Sequence, residues 1–152
     1  MHIVLVEPEI PANTGNISRT CAVTGSSLHL VRPLGFSVDD KSLKRAGLDY
    51  WHLLDLHYYD SFQEVRDQYP QGNFWFLTTK AQKNYHTVRF GPDDFLVFGK
   101  ETAGLSAEIR EANAEHCLRI PMGKDIRSLN LSNSVAIVLY EALRQNNFPH
   151  LF

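Results

Sequence analysis

Three polar clusters in the sequence carry residue types that can orient a polar substrate or take part in proton transfer. They cover residues 13–19, the segment around Glu101, and residues 127–134. Asn16 and Arg19 are spaced i, i+3 and share one face of a predicted helix, so an amide and a guanidinium would lie side by side. Together the clusters predict a site for a polar ligand.

A structural explanation stays open for the same residues. Asn13 could cap the first helix, the serines of residues 128–132 could cap the last helix, and Arg19 could pair with Glu7 or Glu9. Under this alternative the clusters stabilise helix ends and the surface.

Three loops follow predicted strands and contain residues that suit a ligand. They cover residues 77–80, 99–104 and 120–124. In open α/β sheets ligands bind beyond the carboxyl ends of the strands, and glycine lets the main chain approach a ligand closely. We expect a cofactor at these loops, although glycine turns after strands also arise for steric reasons.

The familiar nucleotide-binding loops do not match. Gly99 and Gly104 have the spacing of a Walker loop, but Leu105 and Ser106 follow where that loop needs Lys and then Ser or Thr. The turn at residues 7–11 lacks G-x-G-x-x-G and carries two carboxylates where a pyrophosphate would bind. ATP hydrolysis and an ordinary dinucleotide site are therefore disfavoured.

Metal chemistry has no matching ligand pattern in the sequence. His52 and His57 are the closest pair of histidines, and their spacing differs from the i, i+4 spacing of helical metal ligands. Cys21 and Cys117 are far apart and outside any C-x-x-C motif. We expect no metal site and two reduced, buried cysteines.

Composition limits the class of protein and of partner. The 152 residues are 43% hydrophobic, which suits one compact domain over residues 1–152. A net charge of −2 excludes a sequence-blind polyanion binder, so any RNA contact must be local. The sequence has no apolar run of about 20 residues and no signal peptide, which predicts a cytoplasmic protein without a membrane partner.

Strands and helices alternate along the chain. Continuous apolar runs predict buried parallel strands, and 3.6-residue periodicity with capping residues predicts helices. This alternation predicts an α/β fold, a mostly parallel sheet with helices on both faces. The strands are expected at residues 3–6, 28–31, 74–77, 95–98 and 117–120, and the helices at residues 13–24, 39–46, 61–69, 106–114 and 131–146, with residues 54–59 either strand or loop.

The last predicted helix is apolar on two sides. Val135, Val138 and Leu139 follow the stripe of a core-facing helix, yet Ile137 and Tyr140 make the opposite side apolar as well. Such a helix is either central in the domain or packed against a second subunit. For so short a chain we expect a homodimer through this helix.

Three ordered motifs resemble one known family over essentially the whole chain. They read PEIPANTGNISR at residues 8–19, FGKETAGL at residues 98–105, and IPM at residues 120–122 followed by SLNLSN at residues 128–133. The sequence resembles the knotted SPOUT methyltransferases, specifically the TrmH-like RNA ribose methyltransferases, and within them the minimal TrmL or YibK group. The resemblance implies the knotted SPOUT fold, with a carboxyl-terminal trefoil knot.

The same resemblance implies S-adenosyl-L-methionine as the cofactor, without a metal. Cofactor contacts in the family correspond to Leu77, Gly99, Ile120 and Ser128. The positions of Gly104 and Met122 would shape the pocket.

The catalytic positions implied by the resemblance are polar. They correspond to Asn13, Arg19, Glu101, Ser128 and Asn130. Arg19 matches the position to which the family assigns activation of the ribose hydroxyl, and holding a phosphate or stabilising the developing alkoxide are alternatives. Asn13 and Asn130 would orient the catalytic loop.

The implied reaction is 2′-O-methylation of the wobble nucleotide of a tRNA, cytidine or uridine at position 34, in leucine tRNAs. Because the sequence stops at Phe152, without the RNA-binding extensions of many relatives, we expect a dimer that reads the anticodon loop. The alternatives are a ribose methyltransferase for another tRNA or rRNA site, and a non-catalytic RNA-binding assembly module.

Overall fold

The strands of the protein form one parallel sheet. The structure is a computed structural model that describes residues 1–39, 41, 45 and 48–152. Within these residues the sheet has seven strands in the order β3-β2-β1-β6-β4-β7-β5, and the paired strands run parallel. In chain order they are β1 (His2–Val6), β2 (Ser27–Val31), β3 (Leu56–Tyr59), β4 (Phe74–Leu77), β5 (Lys83–Asn84), β6 (Phe95–Phe98) and β7 (Cys117–Arg119).

Helices cover both faces of this sheet, which confirms the predicted α/β class. The α-helices of the described part of the chain are α1 (Pro11–Thr24), α2 (Phe62–Gln68), α3 (Ala107–Ala112) and α4 (Leu131–Gln145). Short 3-10 helices cover Leu48–Leu53, Tyr85–Thr87 and Ala114–His116.

Alternation along each strand sends neighbouring side chains into two different cores. Ile3 and Leu5 of β1 pack in the core under α1 and α4, whereas Val4 packs in the core under α2 and α3. All three side chains are fully buried. Burial on both faces explains why the strands read as continuous apolar runs.

The strand order determines which end of the sheet can form a ligand site. From β1 the chain first adds β2 and β3 on one side, and then places β6, β4, β7 and β5 on the other. Parallel strands bring their carboxyl ends to one edge, and the place where the strand order reverses is where open α/β sheets bind ligands. The loops after β4, β6 and β7 therefore meet beside the start of α1.

Helix α1 begins earlier than predicted. It starts at Pro11 rather than Asn13, because a proline in the first turn already has a helical φ. The capping alternative for Asn13 is therefore wrong, since Ile10 occupies the N-cap and makes no side-chain capping bond. The predicted end at Gly25 is confirmed, with a left-handed φ of 66°.

Other elements depart from the sequence-based expectations in small ways. Residues 54–59 contain a strand, Leu56–Tyr59, and the two-residue strand Lys83–Asn84 was not predicted. Ser61 caps α2 as expected, but the Glu64 carboxylate accepts from the Asp60 amide instead of closing the box on Ser61. The helix expected over residues 39–46 lies mostly outside the described residues.

Helix α4 matches its prediction closely. It ends at Gln145, and its core stripe of Val135, Val138 and Leu139 is fully buried. Ile137 and Tyr140 remain 37% and 43% exposed. The helix is therefore central to the core on one side and apolar toward the outside on the other.

In the described part of the chain, no helix has both the length and the apolar character needed to cross a membrane. Cys21 and Cys117 are buried free thiols, as expected.

Three histidines contact one another across the amino-terminal half of the sheet. His29 on β2 is fully buried, with His2 Nδ1 3.0 Å from its Nε2 and the Tyr59 hydroxyl 3.1 Å from its Nδ1. Its ring stacks on that of His57, with centroids 4.9 Å apart. Burial first, and then the charges of His2 and His57, lower the pKa of His29 from 6.5 to about 3.

This depressed pKa predicts that acid destabilises the fold. Between pH 6.5 and about 3 the unfolded chain protonates His29 and the folded chain does not, so stability falls as the pH falls. From pH 7.5 to 5 the free energy of unfolding should drop by about 2 kcal/mol through His29. Urea titrations of the wild type, of His29→Phe and of the exposed-histidine control His52→Gln would measure it. Equal pH slopes in all three proteins would contradict the assignment.

Candidate functional site

The cleft at the carboxyl ends of β4, β6 and β7 has a volume of about 640 Å³. Its walls come from the three predicted loops and from the first turns of α1 and α4. Of the predicted site residues, nine line this cleft: Asn13, Leu77, Gly99, Glu101, Gly104, Ile120, Met122, Ser128 and Asn130. The structure thus brings together segments that are far apart in the sequence.

The carboxylate of Glu101 ties the glycine loop to the start of α1. One oxygen accepts from the Glu9 amide at 2.7 Å, and the other accepts from the Ile10 amide at 3.0 Å and the Asn13 side-chain amide at 3.3 Å. A helix start has unsatisfied N–H groups and a positive dipole end, both of which favour a carboxylate. Glu101 therefore acts as a cap supplied from another part of the chain.

Glu9 reciprocates this contact. Its carboxylate accepts from the Thr102 amide at 3.0 Å and from the Thr102 hydroxyl at 2.9 Å. These hydrogen bonds, the amide first, hold the pKa of Glu9 below its usual range. Glu101 thus binds the main chain of Glu9, and Glu9 binds the main chain of Thr102, so two carboxylates join the loop after β6 to the loop after β1.

Beside the contacts of Glu9 and Glu101, the Lys100 ammonium donates to the Glu7 carboxylate at 2.6 Å. The hydrogen bond and the charge of Glu7 raise the pKa of Lys100. Glu7 has a φ of 53°, a conformation that residues other than glycine rarely adopt. The ion pair therefore lies directly after the end of β1.

Asn130 joins the third motif to the first. Its side-chain nitrogen donates to the side-chain oxygen Oδ1 of Asn13 at 3.0 Å. The side-chain oxygen Oδ1 of Asn130 accepts from the Ser132 and Asn133 main-chain amides and from the Ser132 hydroxyl, so Asn130 is the N-cap of α4. Glu101, Asn13 and Asn130 therefore form a continuous chain of hydrogen bonds across the cleft. The alternative that the serines of residues 128–132 cap the last helix is wrong, because the capping side chain within that segment is that of Asn130.

Arg19 lies outside the cleft lining, on the exposed side of α1. Its guanidinium carbon is 4.9 Å from the centroid of the Tyr50 ring, and Nη2 donates to the Tyr50 hydroxyl at 3.4 Å. Within the described part of the chain, no acidic side chain forms an ion pair with it. Pairing of Arg19 with Glu7 or Glu9 is therefore wrong, because Lys100 and Thr102 occupy those carboxylates.

Gly99 is required by the chain itself. A Cβ atom there would lie 2.1 Å from the carbonyl carbon of Gly104 and 2.1 Å from the amide nitrogen of Leu105. Gly104 has a φ of +69° and open space where its Cβ would be. The expectation that both glycines make room for a ligand thus needs correction at Gly99, whose missing side chain admits the backbone of its own loop.

Metal-ligand geometry is absent from the described residues, which contain no group of three or more His, Cys, Asp or Glu side chains placed to hold an ion.

Several residues at or beside the site were not predicted from the sequence. Glu9 and Lys100 lie in the recognised motifs but were given no role in the site, and Tyr50 had no signal, because its partner is 31 positions away in the sequence.

Substitution of Gly99 and of Gly104 should reduce the stability of the protein by different amounts. Gly99→Ala should destabilise the protein by about 3 kcal/mol, because backbone must move to admit the new methyl group. Gly104→Ala should cost about 1–2 kcal/mol, the penalty of a left-handed alanine, and Gly25→Ala is its matched control away from the cleft. Urea denaturation measures all three. Equal losses for Gly99→Ala and Gly104→Ala would contradict the close approach.

The chain is similar to known proteins over nearly its whole length. The family model described as the SpoU rRNA Methylase family matches residues 1–140. A protein of Methylovorus glucosotrophus named tRNA (cytidine(34)-2′-O)-methyltransferase is 50% identical over 147 residues, 96% of each chain.

Solved structures agree with the fold. One described as "Structural insights into the 2-OH methylation of C/U34 on tRNA" has a TM-score of 0.91 at 43% identity, over 96% of this chain and 95% of that chain. An AdoMet-bound rRNA methyltransferase from Sinorhizobium meliloti has a TM-score of 0.77 at 25% identity, over 94% of this chain and 55% of that chain. With a family match over most of its length and relatives that share half its residues, the chain belongs to the SpoU methylase family.

Proposed function

We propose that this protein is a tRNA 2′-O-methyltransferase that transfers a methyl group from S-adenosylmethionine to the ribose of nucleotide 34, a cytidine or uridine, in leucine tRNAs. The main observation in support is the hydrogen-bonded chain of Glu101, Asn13 and Asn130, which joins all three motifs around one cleft. The names of the tRNA relative and of the C/U34 structure support the same reaction.

The cleft fits S-adenosylmethionine by size and lining. Its 640 Å³ lies within the range of about 300–1,000 Å³ for small-molecule sites. Leu77, Ile120 and Met122 offer apolar contacts to an adenine, and the main chain at Gly99 and the hydroxyl of Ser128 offer polar ones. When bound, the cofactor supplies a methyl group on a sulfonium, which an oxygen nucleophile can accept in line without a metal.

The residues of this chain divide into positioning and substrate-facing groups. The polar atoms of Glu101, Asn13 and Asn130 are hydrogen-bonded to one another and to the starts of α1 and α4. These residues therefore position the loops. Ser128 is exposed at the cleft and remains free to meet a substrate. Holding two reactants in line can contribute up to about 7–11 kcal/mol, which is the main task of such a site.

Arg19 is the proposed substrate-facing cation. It lies six positions beyond Asn13 on α1, about 9 Å along the helix axis, and its exposed side chain is accessible to an RNA bound at the cleft. There the guanidinium would stabilise the developing alkoxide or hold the adjacent phosphate, whereas taking up the proton of the ribose hydroxyl would require its neutral guanidine form.

We further propose a cytoplasmic homodimer that contacts the tRNA at its anticodon loop, and a single knotted domain over residues 1–152. The dimer proposal rests on the outward side of α4. Ile137 and Tyr140 are 37% and 43% exposed there, and Phe148 packs beside Tyr140 with ring centroids 6.4 Å apart. A surface helix seldom carries such a patch unless a partner covers it.

The reaction is tested with a leucine tRNA transcript and labelled S-adenosylmethionine, in the presence of EDTA. We expect methyl transfer that disappears when nucleotide 34 is 2′-deoxy. Arg19→Ala should slow single-turnover transfer by about a hundredfold or more. Calorimetry should show unchanged affinity for S-adenosylhomocysteine.

The control is Arg66→Ala, which removes an arginine stacked on Phe74 away from the cleft and should leave transfer unchanged. Transfer to the 2′-deoxy transcript, a requirement for magnesium, or a preference for ribosomal RNA would contradict the proposal. Wild-type turnover by Arg19→Ala would remove Arg19 from the reaction.

The dimer is tested by placing a charge on the outward side of α4. Tyr140→Glu and Ile137→Glu should give monomers in light scattering at micromolar concentration, because burying an unpaired carboxylate costs several kcal/mol. Leu53→Glu, at an exposed apolar residue outside α4, is the matched control and should stay dimeric. A monomeric wild type would contradict the dimer.

A further inference from the structure

Tyr50 is the described residue that contacts the guanidinium of Arg19. The ring and the hydroxyl both take part, with the guanidinium carbon 4.9 Å from the ring centroid and a hydrogen bond of 3.4 Å from Nη2. Tyr50 belongs to the 3-10 helix Leu48–Leu53, and that helix packs against α1.

We propose that Tyr50 is a positioning residue for Arg19. An exposed arginine samples many rotamers, and a reaction that needs its guanidinium in one place is slowed by that freedom. The aromatic face attracts the cation and the hydroxyl fixes its direction, so Tyr50 selects one arrangement before RNA binds. This inference rests on the proposed function, since it gives Tyr50 its effect through Arg19.

The protein contains a second arginine and tyrosine pair that serves as an internal comparison. The guanidinium carbon of Arg32 lies 5.0 Å from the centroid of the Tyr58 ring, and Arg32 also pairs with Asp60 at 3.3 Å. Arg32 is thus held by a carboxylate as well as a ring. Arg19 has no such ion pair in the described residues, so losing Tyr50 should release it more completely.

The variants separate the ring from the hydroxyl. Tyr50→Leu should lower kcat about tenfold, equivalent to about 1.4 kcal/mol, with KM for tRNA and affinity for S-adenosylhomocysteine nearly unchanged. Tyr50→Phe keeps the ring and should retain at least a third of the rate. Tyr58→Leu, the matched control, should keep the wild-type kcat.

A double variant tests whether Tyr50 acts through Arg19. In Arg19→Ala, adding Tyr50→Leu should cause no further loss of single-turnover rate, whereas independent roles would multiply the two losses. Multiplying losses, or equal losses in Tyr50→Leu and Tyr58→Leu, would overturn the proposal.

A measurement on the protein without RNA separates this proposal from the proposed function. The side-chain NMR signals of Arg19 should be shifted by the ring current of Tyr50, should keep that shift in Tyr50→Phe, and should lose it in Tyr50→Leu. Unshifted Arg19 signals in the wild type would overturn the positioning role even if tRNA is methylated. A wild type with shifted signals but no methyl transfer would instead count against the proposed function.

Discussion

The carboxylate of Glu101 is the contact on which the rest of the site depends. It accepts hydrogen bonds from two main-chain amides before α1 and from the side chain of Asn13, all about 90 positions away in the sequence. Hydrogen bonds to a charged acceptor contribute about 1.5–3 kcal/mol each. The start of α1 has no side-chain cap of its own, so this one group fixes both the helix and the glycine loop. Asn13 in turn accepts a hydrogen bond from Asn130, the N-cap of α4, which connects the start of α1 to the start of α4.

The fold makes this contact possible through its parallel strands. Because the strands share one direction, the loops after β4, β6 and β7 open at the same edge as the loop that leads into α1. The opposite edge carries different chemistry. There the buried His29 and its neighbours form an aromatic cluster between β1, β2 and β3, and burial lowers the pKa of His29. The cleft and the cluster around His29 thus lie at opposite ends of the same sheet.

Much of the fold could be predicted from local patterns, and the contacts between segments could not. The strands Phe74–Leu77 and Phe95–Phe98 and the helix after Asn130 follow from apolar runs and periodicity. The two-residue strand Lys83–Asn84 carries too short a pattern to detect. Motifs indicated the cleft residues, but no local rule pairs Arg19 with Tyr50 or shows that Gly99 admits its own loop. Those facts depend on how the chain returns on itself, which only the structure describes.

The most direct measurement is nucleoside mass spectrometry of purified leucine tRNAs from a strain that lacks the gene. The account predicts loss of the 2′-O-methyl group at nucleotide 34, with methylation elsewhere unchanged. Expression of the wild-type protein should restore it, and expression of Arg19→Ala should not. Full methylation of nucleotide 34 in the strain without the gene, or loss of a methyl group from ribosomal RNA instead, would contradict the account.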